Sequence, residues 1–254
     1  LERENTEYNR AETANATDEL KTLTYTASTY SIDDFADRIG DSLLTFGRKG
    51  SDIPTDSLLA IDRRYARQTE QSENWQTLFL RGVSQTLIKQ YTSAVNTFTR
   101  AIEQNPTNAF LYLTRATTRA EMIDFISSIN GNYGRIAIEN GPENRLHNND
   151  TRTYDYNEAI ADLNKAAKLQ PSLSYIYYNR AGLLALSGDL PEAFEDYTRA
   201  IELAPTLAEA YFNRGIVQIM MKDTRKGCLD LSKAGELGIR EAYSVLVRYY
   251  KPEH

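Results

Sequence analysis

Cysteine, histidine, basic clusters and long apolar runs are all scarce in this chain of 254 residues, and each scarcity removes a class of function. The single cysteine, Cys228, excludes an internal disulfide and leaves the redox compartment unread. It falls on the inner face of a predicted helix, where a thiol serves as a small hydrophobe. The two histidines, His147 and His254, stand in a polar stretch and at the terminus, without metal-ligand spacing. Acids outnumber bases, 35 Asp+Glu against 29 Lys+Arg, for a net charge of −6 and a sequence pI near 5.2. That balance argues against nucleic acid, whose phosphates ask for clustered Lys and Arg, and against helical repeats that read RNA base by base. No run of about 18 apolar residues is present, so no segment of the sequence reads as a membrane span. There is no nucleophile elbow, no phosphate-binding glycine loop and no HExxH. The acids Glu103, Glu202 and Glu236 recur with the period described next, as solvated scaffold charge does. The expectation is therefore a protein that is not an enzyme and has no cofactor.

What the chain does have is a period. The stretch Tyr175 to Gly215 contains one complete helix-turn-helix unit and the opening of the next, and the unit recurs on sliding the chain by 34 residues. Arg81, Arg115, Arg180 and Arg214 occupy one column, separated by 34, 65 and 34. Small residues follow them: Gly82, Ala116, Ala181 and Gly215. Second helices carry Ala94, Ala159, Ala193 and Gly227, then Phe98, Leu163, Tyr197 and Leu231, then Ala101, Ala166, Ala200 and Ala234. Pro106, Pro171 and Pro205 close three units. Packed antiparallel helices explain the columns, since small residues permit axes about 8–10 Å apart and large ones fill the space beside them. Proline stops the second helix and presets the following turn. The arginine column is matched by Asp162, Asp196 and Asp230, with Thr97 in the first unit. Pairing of the two columns, within or between units, would fix helix register.

The pattern Tyr177…Ala181, Ala193-x3-Tyr197, Ala200 and Pro205 resembles the tetratricopeptide repeat (TPR) family over roughly 75–238. Three features depart from it. Arginine stands in the usual leucine column, Ile239 replaces a fourth proline, and Gly227 replaces alanine inside a helix at a cost of about 1 kcal/mol. The resemblance implies an all-α, right-handed superhelix whose first helices line a concave groove that binds a protein or peptide. Carried over, that groove comprises Phe79 and Val83, then Phe110, Leu113 and Thr117, then Tyr175, Tyr178 and Gly182, then Glu209, Phe212, Ile216 and Ile219. Its aromatic and apolar side chains suit anchoring of a partner. A carboxylate clamp for chaperone tails is not expected, because the matching places hold Phe79, Val83, Thr114, Tyr175 and Asn179. Glycan or nutrient binding at a bacterial envelope is the alternative function, since an aromatic groove also suits sugar stacking.

Around the repeats the chain divides into an extended or partly disordered N-terminal segment, 1–30, and a helical extension or degenerate leading repeat, 31–74. In the latter, Ile32, Phe35, Ile39 and Leu43 predict one helix and Leu58, Ile61 and Tyr65 a second, over about 55–68. The array spans 75–241, with units at about 75–108, 109–173, 174–207 and 208–241, and a capping helix at 242–254. The 65-residue spacing places an insertion at 123–153, between the helices of the second unit. Its first helix is expected to run through Ile126, followed by a polar loop over 130–150 with a short hairpin at Arg135–Ile138. The insertion is expected to be either an ordered arm that touches a partner, another copy or the groove, or a mobile loop. An initial Leu reads as a piece of a longer product, and the polar face of the last helix as a natural C-terminus. The Asn-Arg-Gly and Asn-Arg-Ala style of repeat points to a bacterial source, and 17 tyrosines against three methionines place the envelope slightly ahead of the cytoplasm.

Overall fold

The structure, a computed structural model, describes residues 55–71, 73–138 and 156–249. The expected extended segment 1–30, the first helix of the extension and the loop over 139–150 lie outside the described residues. Within them the fold is all-α, with ten helices and no strand. Two compact units meet in the chain between Leu169 and Gln170.

The N-terminal unit contains α1 (Thr55–Gln71), α2 (Trp75–Leu87), α3 (Tyr91–Gln104), α4 (Ala109–Ile138) and α5 (Asn157–Leu169). Helix α1 matches the second predicted helix of the extension, and its Tyr65 is buried. Asn74 starts α2 with a capping box: the Thr77 N–H donates to the Asn74 side chain at 2.9 Å, and Thr77 Oγ1 accepts from the Asn74 N–H at 3.4 Å. Helix α3 buries Ala94, Phe98 and Ala101 at helical spacing, and α5 buries Ala159, Leu163 and Ala166 in the matching places. Gly82 leaves room on α2 for the Phe98 ring of α3. A Cβ there would stand 2.6 Å from the Phe98 ring.

The C-terminal unit contains α6 (Ser174–Ser187), α7 (Leu190–Leu203), α8 (Ala208–Met220), α9 (Thr224–Glu236) and α10 (Glu241–Tyr249). Its core joins Tyr178, Ala181, Ala193, Tyr197 and Ala200 to Ala210 and Val217 of the following pair. Where α8 crosses α9, Gly215 and Gly227 face one another, and a Cβ on either would lie 2.8 or 2.6 Å from the other's carbonyl oxygen. The glycine that costs helix propensity at 227 is thus required by a close backbone approach. Ala242 and Val245 close α10 onto Phe212, Ile216 and Leu231, which fits the predicted cap.

The turns repeat as the columns do. Lys89, Gly188 and Lys222 hold positive φ, 62°, 94° and 70°, one residue before the next helix-turn position. The N–H groups of Gln90, Asp189 and Asp223 then donate five residues back, to Gln85, Leu184 and Gln218, at 2.8–2.9 Å. Ile239 repeats the arrangement after Gly238 (φ 113°), donating to the Ala234 carbonyl at 3.0 Å. A proline at 239 would have no N–H to give, which accounts for the missing fourth proline.

One expectation is corrected. Helix α4 continues to Ile138 in 30 residues, so the hairpin at Arg135–Ile138 and the loop over 130–138 are helix. Asn130, Gly131, Asn132 and Gly134 read as loop formers by propensity. A helix already nucleated, however, adds a hydrogen bond for each residue it fixes and tolerates weak formers.

Candidate functional site

Each first helix turns a broad apolar stripe toward its own second helix and the neighbouring pair. The predicted groove residues divide accordingly. In the N-terminal unit Phe79, Val83 and Leu113 are buried, and the Phe79 ring packs on Phe98 with centroids 6.0 Å apart. Thr117 is buried as well, and Phe110 is half-buried. In the C-terminal unit Tyr178, Gly182, Phe212, Ile216 and Ile219 are buried, whereas Tyr175 and Glu209 are half-buried. Tyr178 stands edge-on to Tyr197 at 5.9 Å, and its hydroxyl accepts from Asn213 Nδ2 at 3.3 Å. Six of the eight principal candidates therefore belong to the packed base, and Phe110 and Tyr175 reach the surface.

Those two aromatics occupy the same place in successive units, the second residue of α4 and of α6. Both are anchored from behind. The Phe110 N–H donates to Asn108 Oδ1 at 3.0 Å and its carbonyl accepts from Thr114 Oγ1 at 2.9 Å. The Tyr175 carbonyl accepts from Asn179 Nδ2 at 2.8 Å. Thr114 and Asn179 are two of the places that the family resemblance would give to a carboxylate clamp. Here both are buried and bonded to their own helix.

Each unit also carries members of the arginine column. Arg180 donates through Nε and Nη2 to both oxygens of Asp196 at 2.6 and 2.7 Å, and Arg214 does the same to Asp230 at 2.7 and 2.8 Å. Arg115 reaches Asp162 at 2.9 and 2.6 Å although 47 residues separate them. Pairing within units is thus observed at three positions. The hydrogen bond to Asp196 outweighs burial and raises the Arg180 pKa above its ordinary value. A second tie crosses to the preceding pair: Arg115 Nη1 donates to Thr99 at 2.9 Å and Arg214 Nη1 to Thr198 at 3.1 Å. Sequence reading missed these hydroxyls, although Thr99, Asn164, Thr198 and Ser232 form their own column two residues after the acids. It also missed Arg119, which reaches Asp162 and Glu158 from one turn beyond Arg115. Tyrosines stack on the column, with the Arg180 guanidinium 5.5 Å from the Tyr177 ring and Arg214 5.7 Å from Tyr211. These arginines are engaged on several sides as structural staples.

The first pair differs. Thr97 donates to Gln85 Oε1 at 2.7 Å instead of meeting the arginine. Arg81 turns to α1, giving Nη1 to Thr69 at 3.2 Å, while its Nε lies 4.0 Å from Asp62 and has no hydrogen-bond partner.

Two features lie apart from the face. Cys228 is buried, and burial pushes its thiol pKa up, as the small-hydrophobe reading expects. On the projecting part of α4, Phe125 and Ile126 are exposed, with Phe125 5.7 Å from Tyr91 and under the Lys89 ammonium at 5.8 Å. Burial and the nearby Glu121 and Asp124 push Tyr91 up to about 12. Among the described residues no group of three His, Cys, Asp or Glu is placed to hold a metal ion, and no helix is long and apolar enough to cross a membrane.

Comparisons with known proteins agree with this architecture. Family models described as "Tetratricopeptide repeat" and "TPR repeat" match residues 76–108 and 183–221. A thermophilic TPR protein of Thermus thermophilus superposes with a TM-score of 0.56 at 14% identity, covering 85% of this chain and 98% of its own. MamA gives 0.54 at 16% identity, with coverages of 87% and 97%. YrrB, described as a TPR protein with an unusual peptide-binding site, gives 0.53 at 17% identity, with coverages of 75% and 84%. No curated protein sequence matches the chain.

Proposed function

We propose, from the premise that this chain is built of tetratricopeptide repeats, that it is a protein-interaction scaffold whose first-helix faces hold a protein or peptide partner. The observation that carries this reading is the repeated placement of a half-buried aromatic, Phe110 and Tyr175, on a fully packed base. Leu113 and Tyr178 lie one turn behind them, and the arginine staples hold each first helix against its second. A partner then meets a surface that needs little ordering, so more of the contact energy is left for affinity. The mechanism is adaptor-like, without covalent chemistry. Phe79, Val83, Leu113, Tyr178, Phe212 and Ile216 act by shaping the face from beneath. The places of a carboxylate clamp are filled by apolar or internally bonded side chains, which supports a partner other than a free C-terminal carboxylate.

Selection from a displayed peptide library on the full chain, followed by affinity measurement, tests the reading. Phe110→Ser and Tyr175→Ser, each made alone, should weaken a selected peptide while leaving the melting temperature in place. Burying one such aromatic contributes about 1.5–3 kcal/mol, or roughly a ten- to hundredfold change in Kd. Equal affinity in both variants would move binding away from this face. The same variants on a polysaccharide panel address the glycan alternative, for which Phe110 and Tyr175 would serve as stacking faces. Self-association through 123–153 would instead respond to Phe125→Asp in a concentration-dependent mass measurement.

A further inference from the structure

The columns that recur from unit to unit are those that pack, whereas the solvent sides of the second helices do not recur. Helices α7 and α9 lie side by side over α8, because Arg214 of α8 reaches Thr198 on α7 and Asp230 on α9. Each starts from an acid at its N-cap, Asp189 and Asp223. From there the exposed residues diverge. On α7 they are Glu192 and Glu195; on α9 the places 34 residues later hold Lys226 and Leu229, with Arg225 beside them. Glu192, Glu195 and Arg225 have no ion pair among the described residues. Lys226 meets Asp223 at 2.7 Å, in an exposed pair of the kind that contributes little.

Helix stability accounts for the outer face of α7 but not for that of α9. An acid in the first turn, such as Glu192, complements the positive end of the helix dipole, whereas Arg225 and Lys226 in the first turn of α9 oppose it. One turn further on, Leu229 is 67% exposed, where the matching places hold Asn96, Ala161 and Glu195. Helix α9 therefore shows solvent two cations and an apolar side chain that disfavour it standing alone, beside a helix of opposite charge. Because successive units repeat, α7 and α9 run in the same direction with equivalent residues at one level. A two-fold axis parallel to them lays α7 of one copy on α9 of another, and the reverse, so that acids meet bases twice. An axis across the helices would set acid on acid and base on base.

We infer that the outer faces of α7 and α9 form a two-fold interface between copies of this chain, with Glu192 and Glu195 of each copy against Arg225 and Lys226 of the other and Leu229 covered between them. Second helices carry this contact, so the first-helix faces of both copies stay open. Joining two such faces raises avidity for a partner that carries its motif twice.

Sedimentation of the full chain over a range of protein concentrations, at low and high salt, tests this with wild type, E192K/E195K, R225E/K226E and the four-residue combination. Wild type should form a dimer that salt loosens. Each one-sided reversal should raise the dimer dissociation constant at least about tenfold, and the combination should restore it. R225E/K226E also removes the conflict with the helix dipole. Its melting temperature, compared where both proteins are monomeric, should therefore equal or exceed that of wild type, which separates a lost interface from a lost fold. A wild type that stays monomeric at its highest soluble concentration would overturn the inference. So would a dimer indifferent to both reversals, or one lost in Phe125→Asp instead, which would move the contact to α4. A monomer that takes up a polyglutamate peptide, and loses it in R225E/K226E, would give the α9 face to an acidic partner rather than to a second copy.

Discussion

The pairs α6–α7 and α8–α9 and the first pair α2–α3 carry the same arginine, but only the former give it a carboxylate from their own second helix. Arg180 and Arg214 are held on both nitrogens of a fork by an acid 16 residues on. Arg81 has Thr97 in that place and leans toward α1, leaving Nε without a hydrogen bond. The second pair is instructive between them. There the acid is 47 residues away, across the insertion, and the fork is intact. The staple therefore depends on which side chains the helix packing brings together, and not on the length of chain that joins them. Desolvating a guanidinium is costly, so an arginine on this column needs partners on every pair, and the end pair finds them in the helix that precedes it.

Breaking the stronger staple should have the largest effect. Asp196→Lys places a second cation at Arg180. Removing one partner of a buried pair costs about 3–5 kcal/mol; allowing for the partial exposure of Arg180, about 2–4 kcal/mol is expected. A melting temperature equal to wild type would mean that the fork contributes nothing. Gly227→Ala comes next. Helix propensity alone predicts a gain of about 1 kcal/mol, whereas the Gly215 carbonyl 2.6 Å from the new Cβ predicts a loss of about 1–3 kcal/mol. The sign of the change in denaturant midpoint separates the two. The smallest effect, and of opposite sign, belongs to Thr97→Asp. It would give Arg81 the carboxylate that the later pairs have and should stabilise by up to about 1 kcal/mol. A fall in melting temperature would show that the lost Thr97–Gln85 hydrogen bond outweighs the new carboxylate at Arg81.

Much of this was legible because a fixed period aligns residues that pack alike. The arginine and acid columns and the small-residue crossings all appeared as recurrences, and the structure pairs Arg115, Arg180 and Arg214 as the columns suggest. Other features depend on what lies across an interface, which one strand of text does not display. Gly227 reads as a poor helix residue until Gly215 is seen opposite it. The length of α4 was hidden by Asn and Gly residues whose individual preferences a growing helix overrides. The groove candidates were taken from position within a repeat. A first helix has neighbours on two sides, so its inward stripe is wider than the face left for a partner, and Tyr178, Phe212 and Ile216 fall inside the packing.

A pair of double-mutant cycles tests the central claim most directly: that the column is a set of structural staples, complete within the later pairs and borrowed from α1 in the first. Arg214→Ala and Asp230→Ala, alone and together, form one cycle, and Arg81→Ala with Thr97→Ala the other, each followed by denaturant unfolding. The account predicts a coupling of about 1.5–3 kcal/mol for the former and under about 0.5 kcal/mol for the latter. Equal couplings, or none at Arg214–Asp230, would contradict it.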